Sequence, residues 1–265
     1  MKNMAKVLLI GVLCFILTAC GSENGRSDVK ADAESIRQLA IQILQDRIVQ
    51  EGISDYCFSP LEAYMAGKQS ELSKNPDAIQ LYSSPWELQR LFPGYTVEGE
   101  FLMDDGQTVK LEYIKQEIVS ETKYTHEKGY TSVGLSLSDG GWVYFIIPNE
   151  EKRLENIDVS DALHILSIDL QNAIPCRVTV PMIQFDAKVK LSKTEMSGGI
   201  VIPSHEQSIH FCMNEFGINT NERGTGQYYG QSYTEYTEVI ADRPFLYAIL
   251  DTDGIVRYIG IYSNK

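Results

Sequence analysis

The sequence predicts an α+β fold with mainly antiparallel sheets, on three observations. Apolar residues recur at helical spacing near the N-terminus, short apolar runs of strand length dominate from about residue 100, and Asp-Gly pairs stand between those runs. The chain has 265 residues, 43% hydrophobic and 22% charged, which suffices for a sizeable core and excludes collagen, disorder and long coiled coil. Lys and Arg total 23 against 36 Asp and Glu, a net charge of -13, so the surface repels a phosphate backbone and no nucleic acid partner is expected. No Pro/Ser-rich linker interrupts the middle of the chain, and residues 32–265 read as one domain.

Residues 1–19 stand apart from that domain. Lys2 and Lys6 precede an 11-residue apolar run, Val7 to Leu17, which ends in Leu17-Thr18-Ala19-Cys20. The run is shorter than the ~20 helical residues that a bilayer span needs, and small residues precede the cysteine as a signal peptidase requires. The arrangement resembles a bacterial lipoprotein signal peptide, with an ordinary secretory signal or a buried hydrophobic helix as the other readings. The resemblance implies that Cys20 is lipidated, that residues 20–31 form a tether, and that acyl chains hold the domain at a membrane of the cell envelope, on its extracytoplasmic side. Once Cys14 is removed and Cys20 lipidated, only Cys57, Cys176 and Cys212 remain, so at most one disulfide can form.

Between Glu34 and Gln50, residues Ile36, Leu39, Ala40, Ile43, Leu44 and Ile48 mark the apolar face of a helix, and Gly52 stops it. A second helix starts at Ser59-Pro60-Leu61-Glu62: Ser59 can cap, Pro60 lacks an amide hydrogen that would be orphaned anyway, and Glu62 can reach back to close a capping box. Strands are predicted over Thr108 to Ile114, Tyr130 to Leu137, Trp142 to Ile147, Arg177 to Phe185, Ile209 to Met213, Phe245 to Leu250 and Ile255 to Tyr262. The pairs Asp105-Gly106, Asp139-Gly140 and Asp253-Gly254 supply turns. Short helices are expected at Ser160 to Ala173 and Ser192 to Ser197.

The chemistry-bearing motifs are few. There is no G-x-S-x-G elbow, and Gly224-Thr225-Gly226-Gln227-Tyr228-Tyr229-Gly230 misses the dinucleotide fingerprint and reads as an exposed loop. His126, His164, His205 and His210 form no H-E-x-x-H or Cys/His cluster, so neither a metal nor a cofactor is implied and no enzyme site is legible.

The run Val239-Ile240-Ala241-Asp242-Arg243-Pro244-Phe245-Leu246-Tyr247-Ala248-Ile249 resembles the serpin family signature. Its context is similar too: Asn214-Glu215-Phe216-Gly217 at a strand end, a long polar loop, the signature, and then Tyr258-Ile259-Gly260-Ile261 like the family's last strand. Upstream, Phe58-Ser59-Pro60-Leu61 resembles the start of the second family helix. Phe101-Leu102 with Asp105-Gly106-Gln107-Thr108-Val109 resembles a strand pair, Phe145 to Glu150 a strand ending in proline, and Val178 to Phe185 the strand after the following helix. Serpin resemblance implies an α+β body with packed helices and an exposed reactive-type loop. Because only a short connection runs from Gly67 to Leu81, the helical region is abbreviated.

Serpins trap a protease when the cut loop inserts into the main sheet before the acyl-enzyme hydrolyses, and so the resemblance implies serine or cysteine protease inhibition. By position, the hinge is Glu215, Gly217, Ile218, Asn219, Thr220, Asn221, Glu222 and Arg223, and the cut falls within Gly230, Gln231, Ser232 and Tyr233. Strand side chains alternate. One inward set is therefore Ile218, Thr220, Glu222 and Gly224; the other is Asn219, Asn221, Arg223 and Thr225; either buries a charge, so slow or absent insertion is expected. Tyr228, Tyr229, Tyr233 and Tyr236, among Gly, Ser, Thr and Gln, also suit adaptable contact with a protein partner, in a non-inhibitory binding module.

Overall fold

Ile36, Leu39, Ala40, Ile43 and Leu44 form the buried stripe of helix α1 (Asn24–Glu51) in the computed structural model. The structure describes residues 24–72, 94–116, 118, 122–127, 129–137, 140–150, 152–167, 174–196, 199–215, 217–218 and 233–265. The predicted signal peptide and Cys20 lie outside them. Helix α1 is longer than its apolar period and takes in residues 24–31, which the sequence presents as a tether. None of the described helices is long and apolar enough to cross a membrane.

Strand β1 (Tyr56–Phe58) leads into helix α2 (Pro60–Leu72). The Ser59 cap forms as expected, with Glu62 N–H donating to Ser59 Oγ at 3.2 Å. The box is closed differently. Gln207, which is 1% exposed, accepts from Ser59 N–H at 2.9 Å and donates to Ser59 O at 3.0 Å, so a side chain 148 residues away takes the place expected for Glu62. Tyr64 Oη donates to Asp32 Oδ1 at 2.8 Å and ties α2 to α1.

Most of the remaining described residues are β. The hairpin β2 (Gly94–Leu102) and β3 (Thr108–Gln116) is followed by β4 (Thr122–Glu127), β5 (Tyr130–Ser136) and β6 (Trp142–Pro148). A short helix α3 (Val159–Leu163), capped by Asp158 Oδ1, runs into a 3-10 turn at His164–Ser167; the rest of the helix expected to Ala173 lies outside the described residues. Next come β7 (Cys176–Pro181) and β8 (Ile183–Leu191), then the small hairpin β9 (Thr194–Glu195) and β10 (Val201–Ile202). The chain ends with β11 (His205–Asn214), β12 (Gly217–Ile218), β13 (Thr237–Ile240), β14 (Phe245–Leu250) and β15 (Val256–Tyr262).

Two expectations are corrected here. The run Arg177 to Phe185 is two strands in two sheets, because Pro181 has no N–H to continue its ladder and Met182 N–H turns to Glu112 O at 2.8 Å. The helix expected at Ser192 to Ser197 is the β9/β10 hairpin. Met196 N–H and Ile200 O pair at 2.9 Å, and Gly199 supplies the left-handed φ of 85° that reverses the chain.

The strands form a six-stranded antiparallel sheet in the order β1-β15-β14-β6-β5-β4 and a four-stranded sheet, β13-β7-β3-β2, in which only β13 and β7 run parallel. A three-stranded antiparallel sheet, β12-β11-β8, stands beside the β9/β10 pair. Aromatic contacts join them. Phe211 of β11 stacks on Tyr247 of β14 with centroids 4.9 Å apart, and Phe101 of β2 meets Tyr262 of β15 with centroids 5.5 Å apart. All six residues of β14 are buried, as expected for the apolar half of the run Val239 to Ile249. The fold is α+β with mainly antiparallel sheets.

Candidate functional site: the loop between β12 and β13

Strand β11 alternates cleanly. Gln207, Ile209, Phe211 and Met213 are buried, whereas Glu206, Ser208 and His210 are exposed. On β8 the outward partners are Lys190 opposite Glu206, Lys188 opposite Ser208 and Asp186 opposite His210, with His210 Nδ1 2.8 Å from Asp186 Oδ1. This outer face is polar and cross-paired, so it satisfies itself in water. Cys212 lies on the same face, and burial, with Glu215 near, raises its thiol pKa. Burial pushes the Cys57 thiol up to about 12, so it is no thiolate nucleophile at neutral pH.

At the end of β11 the chain reverses through Glu215 and Gly217, the latter at φ 136°. Strand β12 then returns along β11 with Gly217 opposite Asn214 and Ile218 opposite Met213. Ile218 is fully buried. Of the hinge, Glu215, Gly217 and Ile218 are therefore described; Asn219, Thr220, Asn221, Glu222 and Arg223 are not. Tyr228, Tyr229, Gly230, Gln231 and Ser232 also lie outside the described residues.

The far stem is well tied. Thr237 N–H donates to Pro175 O and Ala241 N–H to Thr179 O, each at 2.9 Å, seating β13 beside β7. Tyr233 is half-buried, while Tyr236 is 40% exposed and held from below by Arg177. Arg177 Nη1 donates to Tyr236 Oη at 2.9 Å with its guanidinium 4.6 Å from the ring centroid. Both contacts come from one cation, which fixes the ring without covering it. Nothing in the sequence pattern marks Arg177, since its partner is set by the parallel pairing of β13. After β13, Asp242 O accepts from Leu102 N–H at 2.7 Å, and Asp242 Oδ1 accepts from Arg243 Nε at 2.8 Å. Asp242, Arg243 and Pro244 thus join two sheets, a structural role. Among the described residues no three His, Cys, Asp or Glu side chains stand together as a metal site.

Solved serpin structures are similar to this chain. Serpin48 from the insect Tenebrio molitor is 12% identical, with a TM-score of 0.64 over 88% of this chain and 98% of its own. A serpin from the trematode Schistosoma haematobium is 10% identical, with a TM-score of 0.61 over 87% and 99%. Thyroxine-binding globulin, solved in complex with thyroxine, is 12% identical, with a TM-score of 0.61 over 87% and 98%. No protein-family model and no curated protein sequence matches the chain. What the likeness defines is the fold: this chain has the serpin fold. The resemblance read from Val239 to Ile249 and its neighbours is in agreement with it.

Proposed function

We propose that the protein is an exported lipoprotein, anchored through Cys20, that presents residues 219–236 to a serine or cysteine protease as a cleavable loop. The observation that carries the reading is the start of the loop: Gly217 and Ile218 already pair with the edge of β11, in the direction an inserting strand would follow. The burial of Ile218 also favours one of the two inward sets. If the pairing continued, Thr220, Glu222 and Gly224 would share its face and Arg223 would point to water. Glu222 would then be the charge taken into the core, at a cost of several kcal/mol. The protein therefore holds a protease as a substrate or competitive ligand more readily than it traps one.

The test is to mix the soluble chain from Ser22 onward with trypsin-, chymotrypsin- and subtilisin-like proteases and to follow the products by denaturing gel and mass spectrometry. Loop cleavage between 230 and 233 without a covalent band is the expected result. A band at the summed mass would overturn the slow-insertion part of the reading, and an uncut loop would overturn the protease part.

A second reading, a non-inhibitory module that holds a protein partner, is favoured by the exposed and pre-fixed ring of Tyr236. Substituting Tyr228, Tyr229, Tyr233 and Tyr236 together by alanine is expected to weaken capture of that partner at least tenfold, about 1.4 kcal/mol. Unchanged capture in a pull-down would remove this reading.

A further inference from the structure

Strand β13 is an edge of the four-stranded sheet and pairs on one side only, with β7. Thr237 N–H and Ala241 N–H donate to β7, and a strand turns successive peptide groups to opposite sides. The N–H and C=O of Glu238 and Ile240 therefore face away from the sheet. Among the described residues no strand pairs with β13 on that side. The opening ends at Asp242, the next residue in the outward series, whose O accepts from Leu102 N–H at 2.7 Å. What remains is a slot about one short strand long, with main-chain groups free to pair.

Apolar side chains gather at this slot. Of the five large hydrophobic residues exposed among the described ones, four stand around β13, so their exposure is a property of this edge and not scatter. Tyr236 and Ile240, the latter 46% exposed, flank Glu238 on one face of the strand. Ile174 precedes the Pro175 whose O accepts from Thr237, and Leu102 is bonded to Asp242. The Tyr236 ring is already fixed by Arg177. Glu238 is matched by Lys115, with Nζ 4.0 Å from Oε1, so the stripe between Tyr236 and Ile240 is close to neutral.

We propose that the open edge of β13 takes up an extended segment of a partner protein as an added strand, uncharged and with two apolar side chains four residues apart. Its main chain bonds to Glu238 and Ile240, and its apolar residues lie beside Tyr236 and Ile240. A second copy of β13 fits less well. Antiparallel pairing that set Tyr236 beside Ile240 of the copy would also set the two Glu238 carboxylates directly opposite each other, between chains of net charge -13. The site goes beyond the partner-holding loop, with which it shares only Tyr236, and needs no loop cleavage.

The test is a titration of the soluble chain from Ser22 onward into the fluorescently labelled peptide acetyl-Thr-Leu-Thr-Ser-Thr-Phe-Thr-amide, followed by anisotropy. Saturation within about 1 mM protein is expected. N-methylation of one alternate set of peptide amides should weaken binding at least tenfold and of the other set should leave it, because an added strand turns only one set toward β13. Ile240→Lys, at an exposed position, should also cost at least tenfold, whereas Val49→Lys, at the exposed apolar residue on α1, should cost nothing. Joint alanine substitution of Tyr228, Tyr229 and Tyr233 leaves β13 alone and should not change the titration. No saturation, equal effects of the two N-methylated sets, or binding lost with the three tyrosines and kept in Ile240→Lys would each overturn the proposal. So would a dimer in sedimentation that Ile240→Lys dissociates, which would give the edge to a second copy.

Discussion

Gly260→Ala is expected to destabilise the fold by more than about 3 kcal/mol. Gly260 sits in β15 between Cys57 of β1 and Tyr247 of β14. A Cβ built on it would stand closer than 3.0 Å to three atoms at once, the backbone oxygen of Tyr56 and the hydroxyl oxygen and Cζ of Tyr247. Neither residue can yield cheaply. The Tyr56 oxygen belongs to the strand ladder, and the Tyr247 ring is 1% exposed and stacked on Phe211, which joins the three-stranded sheet to the six-stranded one. The Tyr247 hydroxyl also donates to Tyr56 O at 3.3 Å, so moving either atom loosens the other. Adding Tyr247→Phe to Gly260→Ala removes the hydroxyl clash and should restore part of the loss, but not all, because the Tyr56 oxygen and the ring's Cζ remain. Urea denaturation of the wild type, Gly260→Ala and the double variant checks this. A loss below about 1 kcal/mol for Gly260→Ala would mean that the strands can slide apart without cost, against close packing of the core.

The elements that sequence reasoning places well are those in which local chemistry and tertiary packing agree. The continuous apolar run Phe245 to Leu250 can only be buried on both faces, and it is. Ser59 caps α2 because the orphaned amides are its immediate neighbours. The corrected elements depend on partners distant in sequence. Glu62 is the obvious residue to close the capping box, but Gln207 reaches the same amide from β11, its buried amide group meeting both the N–H and the carbonyl of Ser59. The stretch Ser192 to Ser197 has helix-compatible residues, yet Met196 is buried and Gly199 turns back immediately, which only a hairpin permits. The candidate loop is read from composition alone, residues 219–232 lying outside those described, and the contacts of its two stems are not marked in the sequence. Which side of it would face the core follows from the pairing of Ile218 with Met213, and the fixed ring of Tyr236 from Arg177 on a strand 59 residues earlier.

That pairing leads to the second large effect. Cleaving the loop of the wild-type protein is expected to leave its melting temperature nearly unchanged, whereas cleaving the loop of Glu222→Thr should raise it by about 10 °C. Extension of the β12 register puts Thr220 opposite Phe211, Glu222 opposite Ile209 and Gly224 opposite Gln207, all on the buried face of β11. Asn219, Asn221 and Arg223 would fall opposite Cys212, His210 and Ser208, on the outer face. Ile209 is 8% exposed, so a carboxylate beside it would lose most of its hydration with no cation described on that face. Removing that penalty of several kcal/mol, at roughly 2–4 °C per kcal/mol for a protein of this size, gives the expected shift. Arg223→Thr is the control, since it removes a hinge charge of similar size from the face that stays in water. If hinge charge in general prevented insertion, Arg223→Thr would stabilise the cleaved form as much as Glu222→Thr. If the register set by Ile218 decides it, only Glu222→Thr will. A wild-type protein that gains as much on cleavage as Glu222→Thr would show that Glu222 is no barrier, and the loop would then regain the capacity to trap a protease.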